Sequence, residues 1–203
     1  MSGVGVFKFS GDVAGTMNKH TADLDIEHTV RQRYSAAAME KEPALCCPVQ
    51  YDGKYLEVLP QELIDRDYGC GNPSEHVDVG ETVLDLGSGG GKICYILSQV
   101  VGPEGSVIGI DQNAEMLALA RRYQKQIGDQ VGWHNTSFLK GNIQDLATDW
   151  SAFQTFLAEY PIRNMADWDR ASRWLEAQRE TEPLIASNSI DVVVSNCVLN
   201  LVD

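Results

Sequence analysis

Apolar runs and amphipathic stretches alternate along the chain from Thr82 onward. Short apolar runs that end in Gly or a polar residue predict buried parallel strands. The stretches between them have apolar residues at helical spacing, and Met116, Leu117 and Ala120 form the inner face of one such helix. This alternation is typical of an α/β fold with a parallel sheet. The predicted strands are 82–89, 106–111, 137–142 and one within 189–201, and the predicted helices are 93–101 and 114–127.

The part of the chain before Thr82 has a weaker pattern. Residues 1–25 show no clear periodicity, and we expect a loosely ordered N-terminus. Apolar residues recur at helical spacing in 26–40, and Pro43 ends that predicted helix. Residues 55–66 predict a second short helical stretch, and the Gly-, Asn- and Pro-containing residues 68–73 predict a loop.

A long segment, residues 147–187, separates the third and fourth predicted strands. Its pattern predicts two helices, each with an aromatic and apolar face. Two interpretations remain open: a crossover helix with an extra packed helix, or a lid over the active site. The residues that define the first face are Trp150, Phe153, Phe156, Leu157 and Tyr160, and those of the second are Trp168, Ala171, Trp174 and Leu175.

The predicted domain organisation is a single core. A chain of 203 residues can bury one core of ordinary size. We assign 26–203 to this domain, with a helical, cysteine-containing segment at 26–81 and the helical insertion at 147–187. A complete sheet of this class needs C-terminal strands beyond the fourth, and the sequence ends at Asp203. We therefore expect a truncated product or a fragment of a longer protein.

Composition narrows the class of protein. Hydrophobic residues make up 43% of the chain and charged residues 22%, without an apolar run of membrane-spanning length. The first residues have no apolar signal segment, so we expect a cytoplasmic protein with no membrane partner. The net charge of −13 disfavours a nucleic-acid partner, because phosphate binding uses basic patches. The basic residues Arg121, Arg122 and Lys125 are interpreted as a solvated helix face.

A glycine-rich loop, Asp85 to Gly91, follows the first predicted strand and opens a helix. Glycines allow a tight turn and close approach of a ligand, whose negative group can lie at the helix N-terminus. The acidic Asp85 suits a ligand with an ammonium group, such as S-adenosylmethionine (SAM). Asp111 ends the second strand and can accept the ribose hydroxyls, and Ile143 can lie against the adenine. An NAD-dependent enzyme and a non-binding relative are the alternatives.

Five cysteines are scattered along the chain. Their odd number and the expected compartment argue against a disulfide framework, and their spacing does not match a zinc site. Each could also be a small buried hydrophobe, the interpretation that we favour for Cys94 in the helix after the glycine loop. The cysteines are Cys46, Cys47, Cys70, Cys94 and Cys197.

Three segments resemble the arsenite methyltransferase family. They are DYGCG at 67–71, VLDLGSGGGKICYILSQVVGPEGSVIGID at 83–111 and VVSNCVLNLV at 193–202. The resemblance covers 28–146 and 189–203, and it implies a Rossmann-like class I SAM-dependent methyltransferase fold. It also implies a role in SAM binding for Tyr68, Asp85, Gly87, Ser88, Gly89, Asp111, Gln112, Asn113, Ile143, Gln144, Asn196 and Val198.

The same resemblance implies that Cys70 and Cys197 are catalytic and bind trivalent arsenic through thiolates, with Cys47, or alternatively Cys46, as a further ligand. Trivalent arsenic is soft and prefers sulfur, by the logic that governs soft metal sites. Three thiolates leave it a lone pair that can attack the methyl carbon of SAM. Arsenite or its thiol conjugate is then the substrate, and glutathione or thioredoxin is the expected reductant.

The chain departs from the family pattern at several points. The family usually has Arg-Asp where this chain has Lys92-Ile93, and it carries another arsenic-binding cysteine well beyond the fourth strand. The insertion is also unusual. Two other functions therefore remain open: a SAM-dependent methyltransferase acting on a small organic molecule, and an inactive SAM- or arsenic-binding fragment.

Overall fold

A parallel sheet of four strands, in the order β3-β2-β1-β4, organises the molecule. The computed structural model describes residues 51–67, 71–196 and 198. A short 3₁₀ helix, Pro73–His76, precedes the sheet. The strands are β1 (Thr82–Leu86), β2 (Ser106–Asp111), β3 (Thr136–Lys140) and β4 (Val192–Ser195), and the helices are α1 (Gly53–Leu56), α2 (Gln61–Asp65), α3 (Lys92–Val101), α4 (Ala114–Val131), α5 (Trp150–Glu159) and α6 (Met165–Thr181).

The core lies around β1 and α3. Val83 and Leu84 of β1 are buried, as are eight of the 10 residues of α3. A helix that is apolar on nearly all sides must lie inside the fold, which accounts for its position against the sheet. The buried Tyr95 hydroxyl donates to the carbonyl of Ala120 at 2.6 Å and so ties α3 to α4. The predicted strands and helices around the glycine loop are confirmed.

Helix α4 is amphipathic, and Asn113 caps its start. The Asn113 side-chain oxygen accepts from the N–H groups of Glu115 and Met116, both at 3.0 Å. The predicted inner face is buried, and Arg121, Arg122 and Lys125 are exposed as predicted. The helix continues through Gly128 to Val131, four residues past the predicted end. A larger residue at 128 would collide with the His134 ring, so this glycine serves packing and does not end the helix.

The segment before the sheet forms two short helices, so the prediction of one stretch over 55–66 was wrong. Pro60 is the N-cap of α2, and its ring is incompatible with a continuous helix. Leu59 and Leu63 are buried against the core of α3. Asn72 then caps the 3₁₀ helix by accepting from the N–H of Ser74, within the predicted loop.

The insertion forms the two predicted helices, α5 and α6. The rings of Phe153 and Phe156 stack on Trp174, with centroids 5.8 and 4.8 Å apart. At its base, the N–H groups of Leu184 and Ile185 donate to the carbonyls of residues 147 and 146 at 3.0 and 2.9 Å. The insertion therefore leaves and re-enters the fold at one place. Its proposed action as a lid stays a prediction.

Two further predictions lie outside the described residues: the loosely ordered N-terminus at 1–25 and the helix at 26–40. Within the described part of the chain, no helix is both long and apolar enough to cross a membrane.

The strand order reverses at β1. Strands β2 and β3 lie on one side of β1, and the chain then returns to place β4 on the other side. In open parallel sheets, ligands bind outside the carboxyl ends of the strands at such a point. The carboxyl ends of β1 and β4 therefore mark where the site is expected.

Candidate cofactor and acceptor site

The glycine loop turns sharply away from β1. The N–H groups of Gly87 and Ser88 donate to the carbonyl of Ile110 at 2.8 and 2.9 Å, which anchors the loop on β2. Gly87 has a φ of 76°, and a Cβ there would lie 2.5 Å from a methyl of Val198. Only glycine fits this close approach without strain or displacement. The loop therefore packs directly against the chain that follows β4.

Helix α3 begins at the end of this loop. Gly91, at the N-cap, has a φ of 85° and no side chain to accept hydrogen bonds from the first turn. A Cβ at Gly91 would lie 2.8 Å from the Phe138 ring, so the residue must be small. The N–H groups of the first turn, with the positive end of the helix dipole, are suited to a carboxylate or phosphate.

Asp111 lies beside the loop at the end of β2. Its carboxylate accepts from the N–H groups of Gly89 at 2.9 Å and Asn113 at 2.8 Å. Burial raises the pKa of Asp111, and these N–H donors act in the opposite direction. A carboxylate has about four lone-pair sites, so the two oxygens can accept further hydrogen bonds from a sugar diol.

Asp85 is buried beneath the loop, with only 2% of its surface exposed. Burial raises its pKa to about 7, and the nearby Asp111 and Asp67 add to the rise. The thiol of Cys94 donates to Asp85 at 3.3 Å and partly offsets it. Cys94 is buried, as predicted, and in addition has this polar partner.

The predicted adenine side follows β3. Asn142 accepts from the N–H of Gln144 at 3.0 Å and from the side chain of Gln112 at 3.2 Å. These bonds bring the ends of β2 and β3 together. Ile143, between the two bonded residues, is half-buried. Asn142 was not among the predicted site residues, and the sequence placed it only at the end of the third predicted strand.

A buried ion pair adjoins the loop, and sequence reasoning did not assign it to the site. The Lys92 amine lies 2.8 Å from the Asp67 carboxylate and 4.3 Å from the centroid of the Tyr51 ring. Lysine in the first turn of a helix is unfavourable next to the positive end of the helix dipole. That position was the available signal that Lys92 needs an acidic partner.

The segments that flank two of the predicted arsenic ligands meet at this edge. The carbonyl of Gly71 accepts from the Tyr51 hydroxyl at 2.8 Å and from the Asn196 side chain at 2.9 Å. The Ser195 hydroxyl donates to the carbonyl of Leu86 at 3.1 Å. The predicted site residues outside the described part of the chain are Cys46, Cys47, Tyr68, Cys70 and Cys197.

The donor set suits a nucleoside with an amino-acid group. The acidic Asp85 and Asp111, the glycine loop and the start of α3 lie together at the carboxyl ends of β1 and β2. The Ser88 hydroxyl oxygen is buried and makes no hydrogen bond with any part of the chain that the structure describes. An orphaned polar atom in this loop is consistent with a ligand-binding role.

This fold and site define a class of protein, the Rossmann-like methyltransferases, and comparison with known proteins agrees. A family described as a methyltransferase domain matches residues 77–179. The arsenite methyltransferase of Aquipseudomonas alcaligenes is 34% identical over 182 residues, which cover 86% of this chain and 43% of the relative. The arsenite methyltransferase of Rattus norvegicus is 33% identical over 156 residues, which cover 75% and 33%.

A crystal structure of an arsenic (III) S-adenosylmethionine methyltransferase from Chlamydomonas reinhardtii also matches. Its TM-score is 0.50 at 27% identity, and the match covers 76% of this chain and 41% of that one. The chain therefore belongs to the methyltransferase domain family, and its predicted resemblance to arsenite methyltransferases is confirmed. These comparisons support SAM as the cofactor. The chain spans less than half the length of these relatives.

Proposed function

We propose that this chain transfers the methyl group of SAM to thiol-bound trivalent arsenic, converting arsenite to methylarsenicals as a detoxification. The observation that carries the proposal is the 2.9 Å hydrogen bond between Asn196 and Gly71. These two residues are the chain neighbours of Cys197 and Cys70, respectively.

This hydrogen bond supports a shared role for the two thiols. Each of the bonded residues is adjacent in sequence to one of the two cysteines. Cys197 is also followed by Val198, which packs on Gly87 of the glycine loop. We infer that both thiolates bind the same arsenic. Cys47 or Cys46 is then the further thiolate, unless an external thiol completes the set.

The residues around the glycine loop would hold the cofactor. Asp111 would accept hydrogen bonds from the ribose hydroxyls, the N–H groups of the first turn of α3 would bind the carboxylate, and Asp85 would pair with the ammonium group. Ile143 and Gln144 would border the adenine, and Tyr68, Gln112, Asn113 and Asn196 complete the proposed set. When bound, SAM supplies an electrophilic methyl carbon.

The thiolates would orient the arsenic and keep water from it. The arsenic lone pair would form the As–C bond as the C–S bond of the cofactor breaks, and the electron pair of the C–S bond would go to sulfur. The arsenic lone pair carries no proton, so no base is needed, and the protein would act by orienting the reactants and excluding water. A thiol such as glutathione or thioredoxin would supply the conjugate and the reducing conditions, and a cytoplasmic location remains our expectation.

Label transfer from methyl-labelled SAM to arsenite in the presence of glutathione tests the proposal. We expect labelled methylarsenicals with the unaltered chain and a large loss in Cys70→Ser and in Cys197→Ser, with SAM affinity retained. Cys94→Ser is the matched control for arsenite retention, because its thiol is buried against Asp85. We expect arsenite retention to be unchanged in that variant.

Other results would overturn the proposal. Label transfer in both cysteine variants at the level of the unaltered chain would exclude the thiolate mechanism. Label found only in organic acceptors would favour a methyltransferase for a small organic molecule. Arsenite retention without any label transfer would indicate an arsenic-binding chain that is not active by itself.

A further inference from the structure

Lys92 is a buried cation in an unfavourable place. It occupies the first position of α3, and only 10% of its side chain is exposed. The positive end of the helix dipole disfavours an amine there, and burial adds a desolvation cost. The structure compensates with the carboxylate of Asp67 at 2.8 Å and the face of the Tyr51 ring. The pair joins the start of α3 to the segment before β1.

The partners of Lys92 lead directly to the end of β4. Tyr51, whose ring lies against the Lys92 amine, donates its hydroxyl to the Gly71 carbonyl, which also accepts from Asn196. Asp67 and Gly71 lie on either side of residues 68–70 in the chain. We call Tyr51, Asp67 and Lys92 the Lys92 clamp. It holds the Gly71 carbonyl, which Asn196 also contacts.

We propose that Lys92 is a positioning residue that holds the segment before β1 against the end of β4 and thereby sets the geometry of the thiol acceptor site. This inference rests on the proposed function for the identity of the acceptor. Lys92 does not touch the reacting atoms. It acts through Asp67 and Tyr51 on the backbone next to Cys70 and Cys197.

The clamp and the ribose side of the site use different residues. Asp111 is bonded to Gly89 and Asn113, which are not members of the clamp. Loss of the clamp should therefore weaken acceptor binding more than SAM binding. Loss of Asp111 should do the reverse, and this contrast separates positioning from a general structural role.

Four variants test the clamp. Lys92→Met leaves Asp67 buried without its cation, so the double variant Lys92→Met/Asp67→Asn removes both charges and protects against simple unfolding. Lys92→Arg keeps the charge and can bond the same carboxylate. Lys125→Met removes a lysine from an exposed ion pair on α4 and is the matched control.

In the full chain with arsenite, glutathione and SAM, we expect the double variant to raise the KM for arsenite about 10- to 100-fold, the usual effect of removing residues that orient ligands. The KM and Kd for SAM should change far less, Lys92→Arg should restore most of the loss, and Lys125→Met should match the unaltered chain. Asp111→Asn should weaken SAM binding and leave arsenite retention unchanged. Equal effects of the double variant on both substrates, or none on arsenite, would overturn the clamp.

A second measurement does not depend on arsenic chemistry. Diamide oxidises neighbouring thiol pairs to disulfides, and mass spectrometry can quantify the Cys70–Cys197 link. We expect a high yield in the unaltered chain and in Lys92→Arg, and a several-fold lower yield in the double variant. If the chain shows these disulfide yields but does not methylate arsenite, the proposed function is refuted and the positioning role of Lys92 is supported. An unchanged yield in the double variant would refute the clamp.

Discussion

The burial of Asp85 makes the stability of the fold depend on pH. An unfolded aspartate has an ordinary pKa of 3.8, and burial raises it to about 7 in the folded chain. A raised carboxyl pKa stabilises the fold fully only below the unfolded value, and this contribution is lost as the pH rises to 7. The shift corresponds to at most about 4 kcal/mol of stability.

Asp85→Asn removes this ionisation. We measure the difference in melting temperature, variant minus unaltered chain, at pH 5 and at pH 8. We expect this difference to be several degrees larger at pH 8, because only the unaltered chain must ionise a buried group. Comparing the same two proteins at both pH values cancels costs that do not depend on pH. A difference that stays constant with pH would contradict the raised pKa.

Gly87→Ala should be destabilising for two reasons. The positive φ costs an L-residue roughly 1–2 kcal/mol, and the new methyl would collide with Val198. Gly132→Ala is the matched control, since Gly132 has a φ of 98° with nothing within 4 Å of the added Cβ. Urea unfolding should show a larger loss for Gly87→Ala. Equal losses would mean that Val198 does not pack on the loop.

At the residue scale, motif spacing predicted the glycine loop and Asp111, because a tight turn and a carboxylate at a strand end have local signatures. The Lys92–Asp67 pair could not be predicted in this way. Its partners are 25 residues apart in sequence, and their contact depends on the packing of the segment before β1.

Among the elements, the α5–α6 insertion depends on its aromatic stack. Trp174 contacts both Phe153 and Phe156, whereas Trp168 on the same helix is 54% exposed. We expect Trp174→Ala to cost roughly 2 kcal/mol of unfolding free energy, less than for a fully buried tryptophan. Trp168→Ala, the matched control, should change it by less than about 0.5 kcal/mol. Equal urea midpoints for the two variants would contradict the packing described.

Elements with a strong apolar pattern were predicted well, and their boundaries less well. The buried pattern of β1, α3 and β2 fixed their type, because a helix or strand that is buried must be apolar along its length. The break at Pro60 and the continuation of α4 through Gly128 were missed. Both depend on tertiary packing or on one residue, and periodicity averages over many.

At the scale of the whole molecule, the parallel sheet brings the segment before β1 and the end of β4 next to the glycine loop. The hydrogen bond between Gly71 and Asn196 joins the segment before β1 to the end of β4. The contact between Val198 and Gly87 joins the end of β4 to the glycine loop. The sequence motifs predicted that these segments belong together through their resemblance to a family. The individual contacts between these segments could not be predicted from the sequence and are seen only in the structure.

Arsenic K-edge X-ray absorption of the arsenite-loaded chain, without glutathione, shows directly whether thiolates of the chain bind the arsenic. We expect sulfur neighbours around arsenic in the unaltered chain and fewer of them in Cys70→Ser and in Cys197→Ser, with Cys94→Ser unchanged. An arsenic shell of oxygen alone, or a sulfur shell that neither substitution alters, would contradict this expectation.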